Sequence, residues 1–159
     1  GQYPSLADIQ FAEIGKRYDK DLEKEDLKNL KTAIWLNAYW VWAGAFVYLR
    51  RIFENLILET YNNHKSMIAP TEKGFENEYM SEKIKILKDY LPSQLIKMKS
   101  LYGILSKWVH ELPEEDCLKY FSLLKLCIEL ILDQKIKMRQ ELEREKKVAD
   151  ELAAMSQMI

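Results

Sequence analysis

One predicted helix carries a group of side chains that could do chemistry close to its end at Pro113. His110 follows Lys107 by three residues, Ser106 by four and Gly103 by seven, so these positions share one helix face. An imidazole titrates near neutral pH and can serve as a general base beside a hydroxyl and a cation. Alternatively, His110 only decorates the helix end, where a positive charge suits the helix dipole.

A second polar cluster interrupts an apolar stretch. Arg50 and Glu54 are four residues apart, as are Arg51 and Asn55. The spacing predicts either a patch that binds an anion or orients helices, or an ion pair at the edge of the core. His64, which follows two asparagines, is interpreted as a helix terminus and nothing more.

The composition indicates one mainly helical domain. The chain has 159 residues, of which only 5 are glycine and 4 proline, which disfavours a turn-rich β fold. Its 24 basic and 25 acidic residues provide no overall attraction to nucleic acid or anionic membranes. Cys117 and Cys127 lie about 15 Å apart on one predicted helix, too far for a disulfide, which favours buried thiols in a reducing, cytoplasmic compartment.

The longest apolar run, Ala33–Leu49, predicts a central buried helix that continues to about Asn63. At 17 residues it is at the short limit for a membrane span, so no membrane is expected. An aromatic group is predicted to belong to the core, together with the apolar residues that follow it: Trp35, Tyr39, Trp40 and Trp42, then Phe46, Leu49, Phe53, Leu56 and Ile57.

The other elements complete an antiparallel bundle of about five helices. Ser5 is predicted to cap a short first helix, and 65–80 is a long loop. Ser81 is predicted to cap a helix that stops at Pro92, and a further helix runs from there to about Leu112. A long last helix then begins at Pro113. The bundle domain is predicted over residues 1–134, with 135–159 as a charged helical tail.

Several enzyme signatures are missing from the sequence. There is no phosphate-binding Gly-rich loop, no GxSxG, no HExxH and no clustered Cys and His. We therefore expect no cofactor and no metal.

The order of the two polar clusters resembles the HEPN superfamily. A helix bearing Arg50, Arg51 and Glu54 precedes a loop, and His110 ends a helix directly before a final long helix. The resemblance covers about 33–133 and is closest to the branch found as an accessory domain beside restriction-type nucleases. It implies a homodimer and, in active members, metal-independent RNA cleavage by an Arg and the His. The arginine is absent from the matching positions 103–105, so the Arg-His motif is degenerate.

The resulting expectation is a non-catalytic HEPN-like module in a larger bacterial protein, with a role in defence or stress. It would dimerise or bind a protein or RNA partner through Arg50, Arg51, Glu54, Asn55, Ser106 and Lys107. One alternative is a ribonuclease that uses His110 with Arg50 or Arg51 as the missing cation. The other alternative is a structural adaptor whose charged tail extends to another domain.

Overall fold

The computed structural model describes residues 13, 16–105 and 111–158. In this part of the chain residue 13 and residues 16–18 are helical, and five further α-helices follow: α1 (Lys24–Ala38), α2 (Trp42–His64), α3 (Met80–Ile86), α4 (Lys99–Leu105) and α5 (Glu114–Gln157). Three short 3₁₀ helices lie at Lys65–Met67, Phe75–Asn77 and Ser93–Lys97. The predicted all-α bundle with a long C-terminal helix is confirmed. The first helix predicted from Ser5 falls largely outside the described residues.

Helix α2 is the centre of the bundle and packs against both α1 and α5. Its predicted core stripe is confirmed, because all five predicted positions from Phe46 to Ile57 are buried. A turn of three residues joins α1 and α2, which are antiparallel. Glu59, near the end of α2, pairs with Lys135 of α5, and the buried residues of both helices precede this pair. Helix α5 therefore runs beside α2 in the same direction.

The prediction of one continuous helix from Ala33 to about Asn63 is wrong. The helix ends at Ala38, and Trp40 adopts a left-handed conformation with φ 66°. The backbone N–H of Val41 donates to the carbonyl of Leu36 at 2.9 Å, and that of Trp40 donates to Asn37 at 3.2 Å. These two bonds form a Schellman motif, which usually has glycine at the left-handed position. With tryptophan there, the sequence contains no recognisable stop signal.

The predicted aromatic core is also wrong for most of its members. Trp35, Tyr39 and Trp40 are 44%, 56% and 75% exposed, and Trp42 is only partly buried. The hairpin turn causes this difference, because it places these residues at one end of the bundle. The core at that end consists instead of smaller residues, among them Ala33 and Ala45, which are both fully buried.

The segment between α2 and α5 contains shorter helices than predicted. The loop predicted over 65–80 is confirmed for 65–79, where it includes two 3₁₀ turns, whereas Met80 already belongs to α3. Ser81 does not cap α3, because Tyr79 is the N-cap residue and no side chain forms a capping hydrogen bond. The helix predicted from Pro92 begins as a 3₁₀ turn and becomes α-helical only at Lys99. The Tyr102 hydroxyl donates to the carbonyl of Leu95 and thereby ties the two pieces together.

Helix α5 is 44 residues long, which corresponds to about 66 Å. Its first turn contains three acidic residues at the positive end of the helix dipole, as predicted. Cys117 and Cys127 are buried free thiols, and burial raises the pKa of Cys127 to about 11. From position 140 to 158 every residue is exposed, so this end of α5 is a solvated helix. Among the described helices, none is both long and apolar enough to cross a bilayer.

Candidate functional site

Three of the predicted site residues, Ser106, Lys107 and His110, lie outside the described residues. Gly103, which shares their predicted face, belongs to α4, and open space surrounds the position that a Cβ atom would take. The assignment of His110 as a base, and with it the ribonuclease alternative, stays a prediction.

The structure places Arg50 and Glu54 in an ion pair on α2. Nε of Arg50 lies 3.0 Å from Oε1 of Glu54, and both side chains are partly exposed. Arg51 points to solvent beside the ring of Tyr48, with its guanidinium carbon 5.7 Å from the ring centroid. An exposed pair of this kind contributes at most about 1 kcal/mol to stability. The geometry therefore has the features of the predicted ion pair at the edge of the core.

Asn55 has a different role, because it connects α2 to α1. Its Nδ2 donates to Oδ1 of Asp26 at 3.0 Å, and the Asp26 residue is 5% exposed. Burial raises the pKa of the Asp26 carboxyl above its ordinary value, and the hydrogen bond from Asn55 offsets part of that shift. A polar contact between two helices in a low-dielectric setting fixes their relative position. Asn55 thus links the two helices of the hairpin through its hydrogen bond to Asp26.

A cavity of about 520 Å³, which we call the basal cavity, lies where α2 ends against α5. Its size is within the range of small-molecule sites. Leu22 and Ile131 contribute buried apolar surface, while Met138 and Leu142 of α5 form a more exposed wall. No residue lining this cavity was among the predicted site residues.

Two ion pairs join the walls of the basal cavity. Nζ of Lys135 lies 2.8 Å from Oε1 of Glu59 and also donates to the carbonyl oxygen of Asp21 at 3.0 Å. Arg139 binds the Asp21 carboxylate with two hydrogen bonds of 2.9 Å each, and the side chain of Asp21 is only 5% exposed. A bidentate, charge-assisted contact of this type is among the stronger polar interactions in proteins. It fixes the direction in which α5 leaves the bundle.

His64 is at the edge of the same cavity and is more than a helix terminus. Its Nδ1 lies 2.8 Å from the carbonyl oxygen of Thr60, so in the neutral ring Nδ1 carries the proton and Nε2 is left as an acceptor. The ring stacks on Tyr90 at 4.0 Å between centroids. The Tyr90 carbonyl in turn accepts a hydrogen bond from Gln134 of α5 at 3.1 Å. A ligand in the basal cavity would therefore meet apolar surface and a polar, mostly charge-paired edge.

The sequence held only a weak signal for this cavity. Asp21, Glu59 and Arg139 are separated by 38 and 80 positions, and no local spacing connects them. Their proximity arises because α5 runs parallel to α2. The apolar residues Met138 and Leu142, four apart in a charged tail, were the only hint.

Within 13, 16–105 and 111–158, no three His, Cys, Asp or Glu side chains are grouped as a metal site. No protein-family model, no curated protein and no solved structure matches the chain.

Proposed function

We propose that this chain is a helical self-association module of the type that the HEPN resemblance implies. The proposed contact is made by the part of α5 that extends beyond the bundle, residues 140–157, which we call the α5 extension. It is about 27 Å long at 1.5 Å per residue. The single observation that supports the proposal is an apolar stripe on this otherwise solvated helix.

The stripe consists of large apolar side chains on one side of the helix. At 100° per residue they fall within an arc of about 140°. Each is more than half exposed: Leu142, Val148, Leu152 and Met155. Burying one such side chain contributes about 1.5–3 kcal/mol, so covering the stripe would be strongly favourable.

A second copy of the same helix has oppositely charged residues at positions that would flank this stripe in a parallel dimer. When Leu142 is placed at the first core position of a heptad, Glu141 and Lys146 occupy the two flanking positions that face each other between parallel helices. In a dimer of two parallel helices, the ion pair between Glu141 of one copy and Lys146 of the other then forms twice.

In this register Leu142 and Leu152 lie at core positions, and Val148 and Met155 lie at flanking positions beside them. Glu145 takes the other core position of the first heptad, and a charged residue there weakens the pairing. The resulting dimer is expected to dissociate on dilution.

The stripe also continues into the basal cavity, because Met138 and Leu142 line it. A second α5 extension lying along the stripe would reach the edge of the cavity and cover its exposed wall. The proposed dimer contact and the basal cavity are therefore parts of one surface.

The test is the molar mass of the full chain, measured by sedimentation equilibrium over a range of concentrations. One chain has a mass of 18.9 kDa, and we expect a concentration-dependent rise towards twice this value. Leu152→Asp introduces a charge into the stripe and should shift the chain to monomer. Ala154→Asp, on the opposite side of the same helix, is the matched control and should leave the mass unchanged. A wild-type chain that stays monomeric at high concentration would refute the proposal.

A further inference from the structure

The end of the bundle formed by the α1–α2 turn exposes a cluster of aromatic residues, which we call the aromatic tip. It comprises Trp35, Tyr39, Trp40 and Trp42. The ring centroids of Trp35 and Tyr39 are 4.6 Å apart, and those of Trp40 and Trp42 are 5.8 Å apart. Large exposed apolar patches on soluble domains mark interaction sites.

The backbone at Trp40 indicates that the aromatic tip is not simply a by-product of folding. A bulky residue in the left-handed region costs about 1–2 kcal/mol, and glycine would avoid that cost. Folding alone would therefore favour glycine at this position. Strained residues of this kind are concentrated where a site needs them.

On both helices of the hairpin, the charged residues that lie nearest to the aromatic tip are basic. Positions 32–49 contain no charged residue, and no acidic residue lies between Asp26 and Glu54. Lys28 and Lys31 precede this stretch on α1, and Arg50 and Arg51 follow it on α2. At 1.5 Å per residue, all four cations lie about 10–15 Å along their helices from the turn.

Two groups of acidic residues reduce this positive charge. Glu54 pairs with Arg50 at 3.0 Å, while Lys28 and Arg51 are exposed and Lys31 is partly exposed. Glu114, Glu115 and Asp116 begin α5, which packs against α2 and has its N-terminus towards the same end of the bundle.

From this arrangement we infer that the aromatic tip docks onto the surface of an anionic lipid bilayer. Tryptophan and tyrosine rings favour the membrane interface, and apolar faces of docked proteins insert about 5–10 Å. Insertion of the turn to that depth brings the cations on α1 and α2 to the level of the lipid phosphates. Each such cation then adds to the attraction for anionic lipid.

Single-stranded nucleic acid fits the same surface less well. It carries a phosphate at every nucleotide, so its binding sites place cations beside the stacking rings. Here Lys31 lies one helical turn before Trp35, whereas the other cations stand about 10–15 Å along their helices from the turn that carries Trp40.

The test is flotation of the full chain with vesicles of phosphatidylcholine, with and without phosphatidylglycerol. We expect binding to the mixed vesicles and a decrease at high salt, because salt screens the attraction. Trp40→Gly should weaken binding roughly tenfold and remain folded, since glycine suits the backbone there. Lys31→Gln should weaken binding to mixed vesicles roughly fivefold, with little effect on pure phosphatidylcholine.

Tyr79→Ser is the matched control, because Tyr79 is an exposed aromatic residue outside the aromatic tip. It should bind vesicles like the wild type. The inference is overturned if the wild type does not float with mixed vesicles, or if Trp40→Gly binds them as well as the wild type. It is also overturned if the wild type binds polyuridylate, Trp40→Gly does not, and neither protein floats with vesicles. That result would assign the surface to nucleic acid.

Discussion

The left-handed conformation of Trp40 predicts that glycine is a more stable substitution than alanine at this position, which is the reverse of the order within a helix. Removing the indole changes both its contact with Trp42 and the backbone preference, so Trp40→Gly alone is hard to interpret. Comparing Trp40→Gly with Trp40→Ala cancels the loss of the side chain, because both variants lack the ring. The difference between them reports the cost of the left-handed φ of 66°.

The magnitude follows from two opposing terms. Alanine in the left-handed region costs about 1–2 kcal/mol relative to glycine, whereas glycine loses about 0.5–1 kcal/mol more conformational entropy on folding. Trp40→Gly should therefore unfold with a free energy about 1 kcal/mol higher than Trp40→Ala. For a chain of this size, that difference corresponds to a Tm higher by about 2–4 °C.

Trp35 provides the matched comparison, because it lies within α1 and its backbone is helical. There alanine should be more stable than glycine by about 1 kcal/mol, the usual helix preference. Urea denaturation of the four variants, followed by circular dichroism, measures both differences. If alanine is the more stable substitution at both positions, Trp40 does not adopt the left-handed conformation in solution, and the Schellman ending of α1 is wrong.

Two further predictions concern buried carboxylates. Asp21→Asn should lower the free energy of unfolding, measured in urea, by about 1–3 kcal/mol, because Arg139 loses a buried charged partner and is itself about one-third exposed. Asp19→Asn, at an exposed position, is the control and should have no such effect. Equal losses in the two variants would contradict the role of the ion pair. Burial raises the pKa of Asp26, so its stabilising contribution is present at low pH and is lost as pH rises from its unfolded pKa of 3.8 through the raised folded value. Asp26→Asn should therefore match the wild type near pH 3 and exceed it in stability at pH 7, and a variant less stable at pH 7 would refute this reasoning.

Local patterns in the sequence were sufficient to predict which residues of the central helix form its core. Phe46, Leu49 and Phe53 recur at helical spacing, and this period alone places them on one buried face. The same holds for the two thiols of α5 and for its charged, solvated end. The Arg50–Glu54 pair was also predictable, because its partners are four residues apart on one helix.

The hairpin and the basal cavity depended on contacts that local patterns do not encode. Trp40 ends α1 in a conformation that glycine normally marks, so composition could not show the turn, and the aromatic residues were assigned to the core. Asp21, Glu59 and Arg139 meet only because α5 runs beside α2. The sequence by itself determined which faces are apolar, since that depends on spacing along one helix. The direction and pairing of the helices, and with them the cavity and the exposed aromatic tip, were decided only in the tertiary structure, where residues distant in the chain come into contact.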